Sequence, residues 1–111
     1  ANNNLAYLYL TRDPSRALEM AEKAYRIAPE SAVIQDTYGW ILLKNNRLDE
    51  AVSLLRQAAE KMPDESEVQY HYAKALFLQG KRDEARKILK TIVDSDAVFE
   101  GIDDARDMLS Q

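Results

Sequence analysis

The chain has 111 residues and a mass of 12.7 kDa, enough for one hydrophobic core and too little for two. A content of 46% apolar and 31% charged residues can bury a core, while a net charge of −4 lacks the basic footprint of a nucleic-acid or anionic-membrane binder. The absence of cysteine and the single histidine exclude a disulfide framework, thiolate catalysis and cysteine or multi-histidine metal sites.

Glycine and proline number three each, too few for the turns of a sheet protein. Pro14, Pro29, Pro63, Gly80 and Gly101 separate stretches of good helix formers, so the fold class is all-α. Seven helices are expected in chain order, near 2–11, 14–28, 32–45, 48–61, 66–79, 82–94 and 98–110. The first opens on Asn2, Asn3 and Asn4, poor helix formers, and is expected to fray. Its abrupt start reads as a piece cut from a longer array. Asp13 before Pro14 fits an N-cap followed by the first residue of the second helix, which Pro29 closes. In the third helix, Val33, Thr37, Tyr38, Ile41 and Leu42 make an apolar stripe, with Ser31 placed to cap it. The fourth carries Leu48, Ala51, Val52, Leu55, Ala58 and Ala59 and ends before Pro63. Ser66 is expected near the start of the fifth, while Asp49 and Asp83 are caps or first-turn residues. The sixth bears a basic strip of Lys81, Arg82, Arg86, Lys87 and Lys90, interrupted by Asp83 and Glu84 and read as solvated cover. In the last, Val98, Phe99, Ile102, Ala105, Met108 and Leu109 recur at helical steps opposite Asp103, Asp104, Arg106 and Asp107. Apolar runs as short as Gly39 to Leu43 build neither a membrane span nor a signal peptide.

The chain also repeats itself. Ala17, Ala51 and Ala85 are spaced by 34, as are Pro29 and Pro63, Tyr38-Gly39 and Tyr72-Ala73, and Leu42 and Leu76. Ala24 and Ala58 keep the register, with Ile92 in the third slot. This helix–turn–helix period resembles the tetratricopeptide repeat, whose pattern sets Leu-Gly and Tyr on a first helix, then Ala, Phe, Ala and Pro. Here Tyr38-Gly39, Leu42, Ala51, Leu55, Ala58 and Pro63 hold those positions in the second repeat. The third carries Tyr72-Ala73, Leu76, Ala85, Leu89 and Ile92, with Ala97 in the proline's place. The first carries Leu5-Ala6, Tyr9, Ala17, Ala24 and Pro29, over a turn one residue shorter. The resemblance implies an α-α superhelix: one domain over 1–111, with repeats at about 1–31, 32–65 and 66–97 and a capping helix at about 98–110. Gly39 and Ala51 are expected where the two helices of a repeat cross closely. The cap is expected to cover Leu89 and Ile92 and to mark a natural chain end.

Catalysis finds little support. His71, in Tyr70-His71-Tyr72, has no nucleophile motif around it and reads as an exposed or groove-lining side chain. The pairs Asp49-Glu50, Asp83-Glu84 and Asp103-Asp104 suit helix starts. Three glycines cannot build a phosphate loop, and Asp94, Asp96 and Glu100 lack calcium-loop spacing. No enzyme activity, metal or cofactor is expected.

The resemblance implies that the first helices line a concave groove. Matching positions there are Asn3 and Tyr7, then Asp36, Trp40, Leu43 and Lys44, then Tyr70, His71, Lys74 and Phe77. Trp40 is expected to point away from the core of its own repeat. Tyr7, Trp40 and Phe77 would make an apolar floor, with Asp36, His71 and Lys74 as polar handles. Two readings stay open: the aromatics pack against neighbouring helices, or they seat an extended peptide or helix. Relatives that hold chaperone C-termini use a clamp of Lys and Asn, Asn, then Lys and Arg. Asn3, Tyr7, Thr37, Glu67 and His71 stand in those places, so that role is rejected. More loosely, Asp13 to Leu18, Ala28-Pro29 and Asp36 to Trp40 are similar to the C-terminal part of bacterial repeat lipoproteins of the PEP-CTERM sorting and exopolysaccharide-export systems. That likeness implies an envelope setting; without it the compartment is open. The expected function is a non-catalytic scaffold that binds a protein or peptide, with no nucleic acid and no membrane insertion. The alternative is self-association through the exposed N-terminal helix, as a module of a longer bacterial repeat protein.

Overall fold

The computed structural model describes residues 13–111. The helix expected at 2–11 lies outside them, and with it Asn3 and Tyr7. Asp13 starts helix α1 (Pro14–Ile27): its carboxylate accepts from the Arg16 amide at 3.2 Å, and Pro14 holds the first helical position. Ser31 does the same for α2 (Ala32–Lys44), accepting from the Ile34 amide at 3.3 Å. Then follow α3 (Leu48–Lys61), α4 (Ser66–Leu78), α5 (Arg82–Asp94) and α6 (Ile102–Leu109). Asp49 and Asp83 lie in first turns, where they meet the positive end of the helix dipole, rather than at caps. Ser66 is the first residue of α4 and does not cap it. Among the described residues there is no strand.

Each helix packs chiefly on its chain neighbours, and the leading helices α2 and α4 also touch each other. That pattern is a stack of helical hairpins, α2 with α3 and α4 with α5. Within the α2–α3 hairpin, a Cβ added to Gly39 would lie 2.8 Å from Leu55 Cγ, so glycine allows this close crossing without displacing Leu55. Ala51, on α3, is fully buried. The turns repeat as well. Asn46 and Gly80, 34 residues apart, both adopt the left-handed conformation that ends a leading helix, with φ of 63° and 94°.

Gln35 and Gln69, also 34 apart, anchor each hairpin to the loop before it. The Gln35 amide donates to Pro29 O at 2.9 Å and to Gln57 Oε1 at 3.2 Å. The Gln69 amide donates to Ala59 O at 2.9 Å and Met62 O at 3.2 Å. These two loops therefore gain hydrogen bonds their own backbone does not supply.

Helix α6 is shorter than the expected 98–110. Val98 precedes it and is 95% exposed, so it does not share the helix's apolar face. Ala105 and Met108 do, joining one core with Leu89 and Ile92. Gly101 lets the chain enter this helix, because a Cβ there would run into the Tyr70 ring, with Cδ2 at 2.8 Å.

Candidate partner-binding face

The nine consecutive residues Gln35 to Leu43 of α2 are all buried. A helix apolar or covered all round is enclosed by neighbours rather than presented to solvent. This overturns the expectation of an open aromatic floor. Trp40 is 9% exposed, Leu43 and Phe77 are 8%, Tyr70 6% and His71 3%. Trp40 does turn away from its own hairpin, but the next leading helix is laid over it. His71 stacks on the indole, with ring centroids 4.1 Å apart and planes at 24°. Tyr70 tilts against both rings and against Phe99. The aromatics thus form a layer joining consecutive repeats, the packing alternative left open by the sequence.

The polar handles are also drawn into this layer. His71 is not exposed: its Nδ1 lies 2.7 Å from Asp36 Oδ1, across the junction of α2 and α4. Its Nε2 is 3.9 Å from the Glu67 carboxylate, one turn earlier on the same helix. Lys74 reaches Asp104 of α6 at 2.7 Å, and the Tyr70 hydroxyl donates to the same carboxylate oxygen at 2.6 Å. Burial alone would raise the Asp104 pKa. The hydrogen bonds from Lys74 and Tyr70, with the charges of Lys74 and Lys44, outweigh it and hold the carboxyl below its ordinary value. The Tyr70 phenol is pushed well above its usual range, first by burial and then by that bond to Asp104.

What solvent meets on this face is a thin polar cover. Lys44 sets its ammonium 4.4 Å from the Trp40 ring centre, and Arg82 stands 4.5 Å over Phe77. Glu67 and Leu78 are exposed beside them. The structure therefore brings Asp36, Trp40, Tyr70, His71 and Lys74 together, with Leu43 and Phe77 buried in the same core, while Asn3 and Tyr7 are outside the described residues. Asp104 escaped the sequence reading, which paired it with Asp103 as an outward helix-start acid. Its signal was present: it stands 34 residues after Tyr70, in the same repeat position. No helix of the described residues is long and apolar enough to cross a membrane, and no group of acidic or histidine side chains among them has the geometry to hold a metal ion.

Comparison with known proteins agrees with this architecture. The tetratricopeptide repeat family model matches residues 42–100. The TPR repeat-containing protein PA4667 of Pseudomonas aeruginosa is 35% identical over 66 residues, covering 58% of this chain and 11% of that protein. Two MamA structures, MSR-1 and AMB-1, are each 26% identical over 84% of this chain, with TM-scores of 0.73 and 0.69. This chain covers 54% and 51% of them, so it spans about half of each and roughly a tenth of the curated relative. The Sgt2 TPR domain from Aspergillus fumigatus matches 98% of this chain and 74% of its own at a TM-score of 0.81 and 12% identity, a likeness of fold alone. Stacked helical hairpins, a 34-residue register and a family match over more than half its length establish that the chain belongs to the tetratricopeptide repeat family, an all-α superhelical fold of the protein-interaction scaffold type.

Proposed function

We propose that the chain holds a protein or peptide partner on the face formed by the leading helices α2 and α4. The observation that carries this reading is Lys44 lying over Trp40, with Trp40 stacked in turn on His71. The aromatic layer is the rigid support, and the groups above it make the contact. Lys44 and Glu67 are exposed, Lys74 is partly so, and Leu78 adds an apolar edge. Asp36, Trp40, Tyr70 and His71 act from beneath by fixing the angle between repeats. Phe77 and Leu43 fill the same support. No step of this role calls for catalysis.

The test is titration of a partner against Trp40 fluorescence. A partner that displaces Lys44 from the indole changes its emission. Lys44→Glu is expected to weaken binding while leaving helix content unchanged, and Trp40→Phe to weaken it less. Unchanged affinity in Lys44→Glu and in Trp40→Ala and Phe77→Ala variants that remain folded overturns the assignment.

A further inference from the structure

Apart from Arg82, which covers Phe77, the basic strip on α5 is left unused by the leading-helix face. Repeat register gives it meaning. Arg82 and Arg86 occupy the positions that Leu48 and Val52 hold on α3, and Lys90 occupies that of Arg56. In the second repeat this flank of the trailing helix faces the following repeat: Val52 is 4% exposed and the Arg56 guanidinium donates to the Tyr72 hydroxyl of α4 at 3.1 Å. In the third repeat α6 packs on α5, and along this flank Arg82 and Lys90 are exposed while Arg86 is partly covered.

Arg82, Arg86 and Lys90 recur every four residues, so they lie about 6 Å apart along one side of the helix. Lys90 is paired with Asp94 at 2.8 Å, and Arg82 rests on Phe77. Arg86 and Lys87 have no carboxylate within ion-pairing distance among the described residues. Asp83 stands about 100° round the helix from Arg82, off the line of the stripe. A face that only had to stay wet would be served by either sign of charge. Here a leucine and a valine position both become arginine, in a chain of net charge −4.

We infer that the Arg82–Arg86–Lys90 stripe is a second docking surface, for an acidic helical segment of a partner protein whose carboxylates repeat every fourth residue. Guanidinium groups bind carboxylates through two parallel hydrogen bonds, and such a partner meets Arg82 and Arg86 in register. Arg86 and Lys90 lie on α5 away from the leading helices, and Arg82, which covers Phe77, borders both surfaces.

The probe is a labelled, helix-stabilised synthetic peptide with Glu at every fourth position, followed by fluorescence anisotropy on the whole chain. A peptide of the same composition with its Glu residues out of register and a short DNA duplex serve as comparisons. The in-register peptide should bind more tightly than both, and Arg82→Glu with Arg86→Glu should weaken it about tenfold or more. Arg86→Lys should give a partial loss, while Lys44→Glu on the other face and Lys23→Glu with Arg26→Glu on α1 should change little. Circular dichroism checks that each variant keeps its helices. Equal binding of the out-of-register peptide or the duplex shows a generic pull on polyanions and overturns the inference. So does a loss of the same size in the α1 variant, or no binding at all.

Discussion

His71 lies flat on Trp40 and bonds Asp36 through the same ring, so one side chain of α4 engages two of α2. Because these residues sit in adjacent repeats, their contacts set how one hairpin rotates on the next. Trp40→Ala removes the indole from a closed layer and is expected to lower stability by about 3–5 kcal/mol. His71→Phe keeps a stacked ring but strips the buried Asp36 carboxylate of its partner, at about 1–3 kcal/mol. Shifts in the urea midpoint measure both; an unchanged midpoint in either would show that the junction does not support the fold.

Gly39→Ala tests the crossing of α2 and α3. Leu55 would have to move away from the new methyl group, with an expected loss of about 1–3 kcal/mol. Ala73 fills the equivalent position of the next hairpin and is fully buried there. Ala73→Gly is expected to cost only about 1 kcal/mol, through added chain freedom. Thermal denaturation of the two variants should rank them in that order.

Asn46 and Gly80 share one turn position and one backbone region. Asn46→Gly removes the strain of a side chain at positive φ and should raise stability by up to about 1 kcal/mol. Gly80→Ala should lower it by about 1–2 kcal/mol although no atom stands in the way of the methyl group. Opposite shifts in the melting temperature are the expected result.

The latch on α6 responds to acid. The pKa of Asp104 is lowered in the folded chain, so its contribution is fully present above the ordinary value of 3.8 and is lost as pH falls through the folded value. Hydrogen exchange in α6 is expected to accelerate on acidification below 3.8, before α2 and α3 respond. Asp104→Asn should already exchange faster at neutral pH and lose this acid-dependent step. The raised Tyr70 phenol has the opposite sense: its contribution holds below 10.0 and is lost only as pH rises through the elevated value.

Local signals carried the helices well. Asp13-Pro14 and Ser31 mark their helix starts, and the intervals 48–61 and 82–94 coincide with α3 and α5, because caps and apolar period act within a few residues. The 34-residue register carried the family. Exposure of the face was not legible. Sequence places Trp40 on the outer side of its own hairpin, but whether that side is open depends on what His71 does 31 residues later. Asp104 was hidden for a related reason: a carboxylate in a first turn already has a local explanation, and its bonds to Tyr70 and Lys74 span 34 and 30 residues.

The burial of Gln35 to Leu43 in α2 also bears on how the chain is made. This helix leaves the ribosome before α3 and α4, the elements that wrap it. Until they emerge, a continuous run from Tyr38 to Leu43 stands bare, and such surface invites wrong association. The interval ends only when the hairpin carrying His71 has been synthesised, so translation speed across residues 45–78 governs how long the nascent protein needs protection.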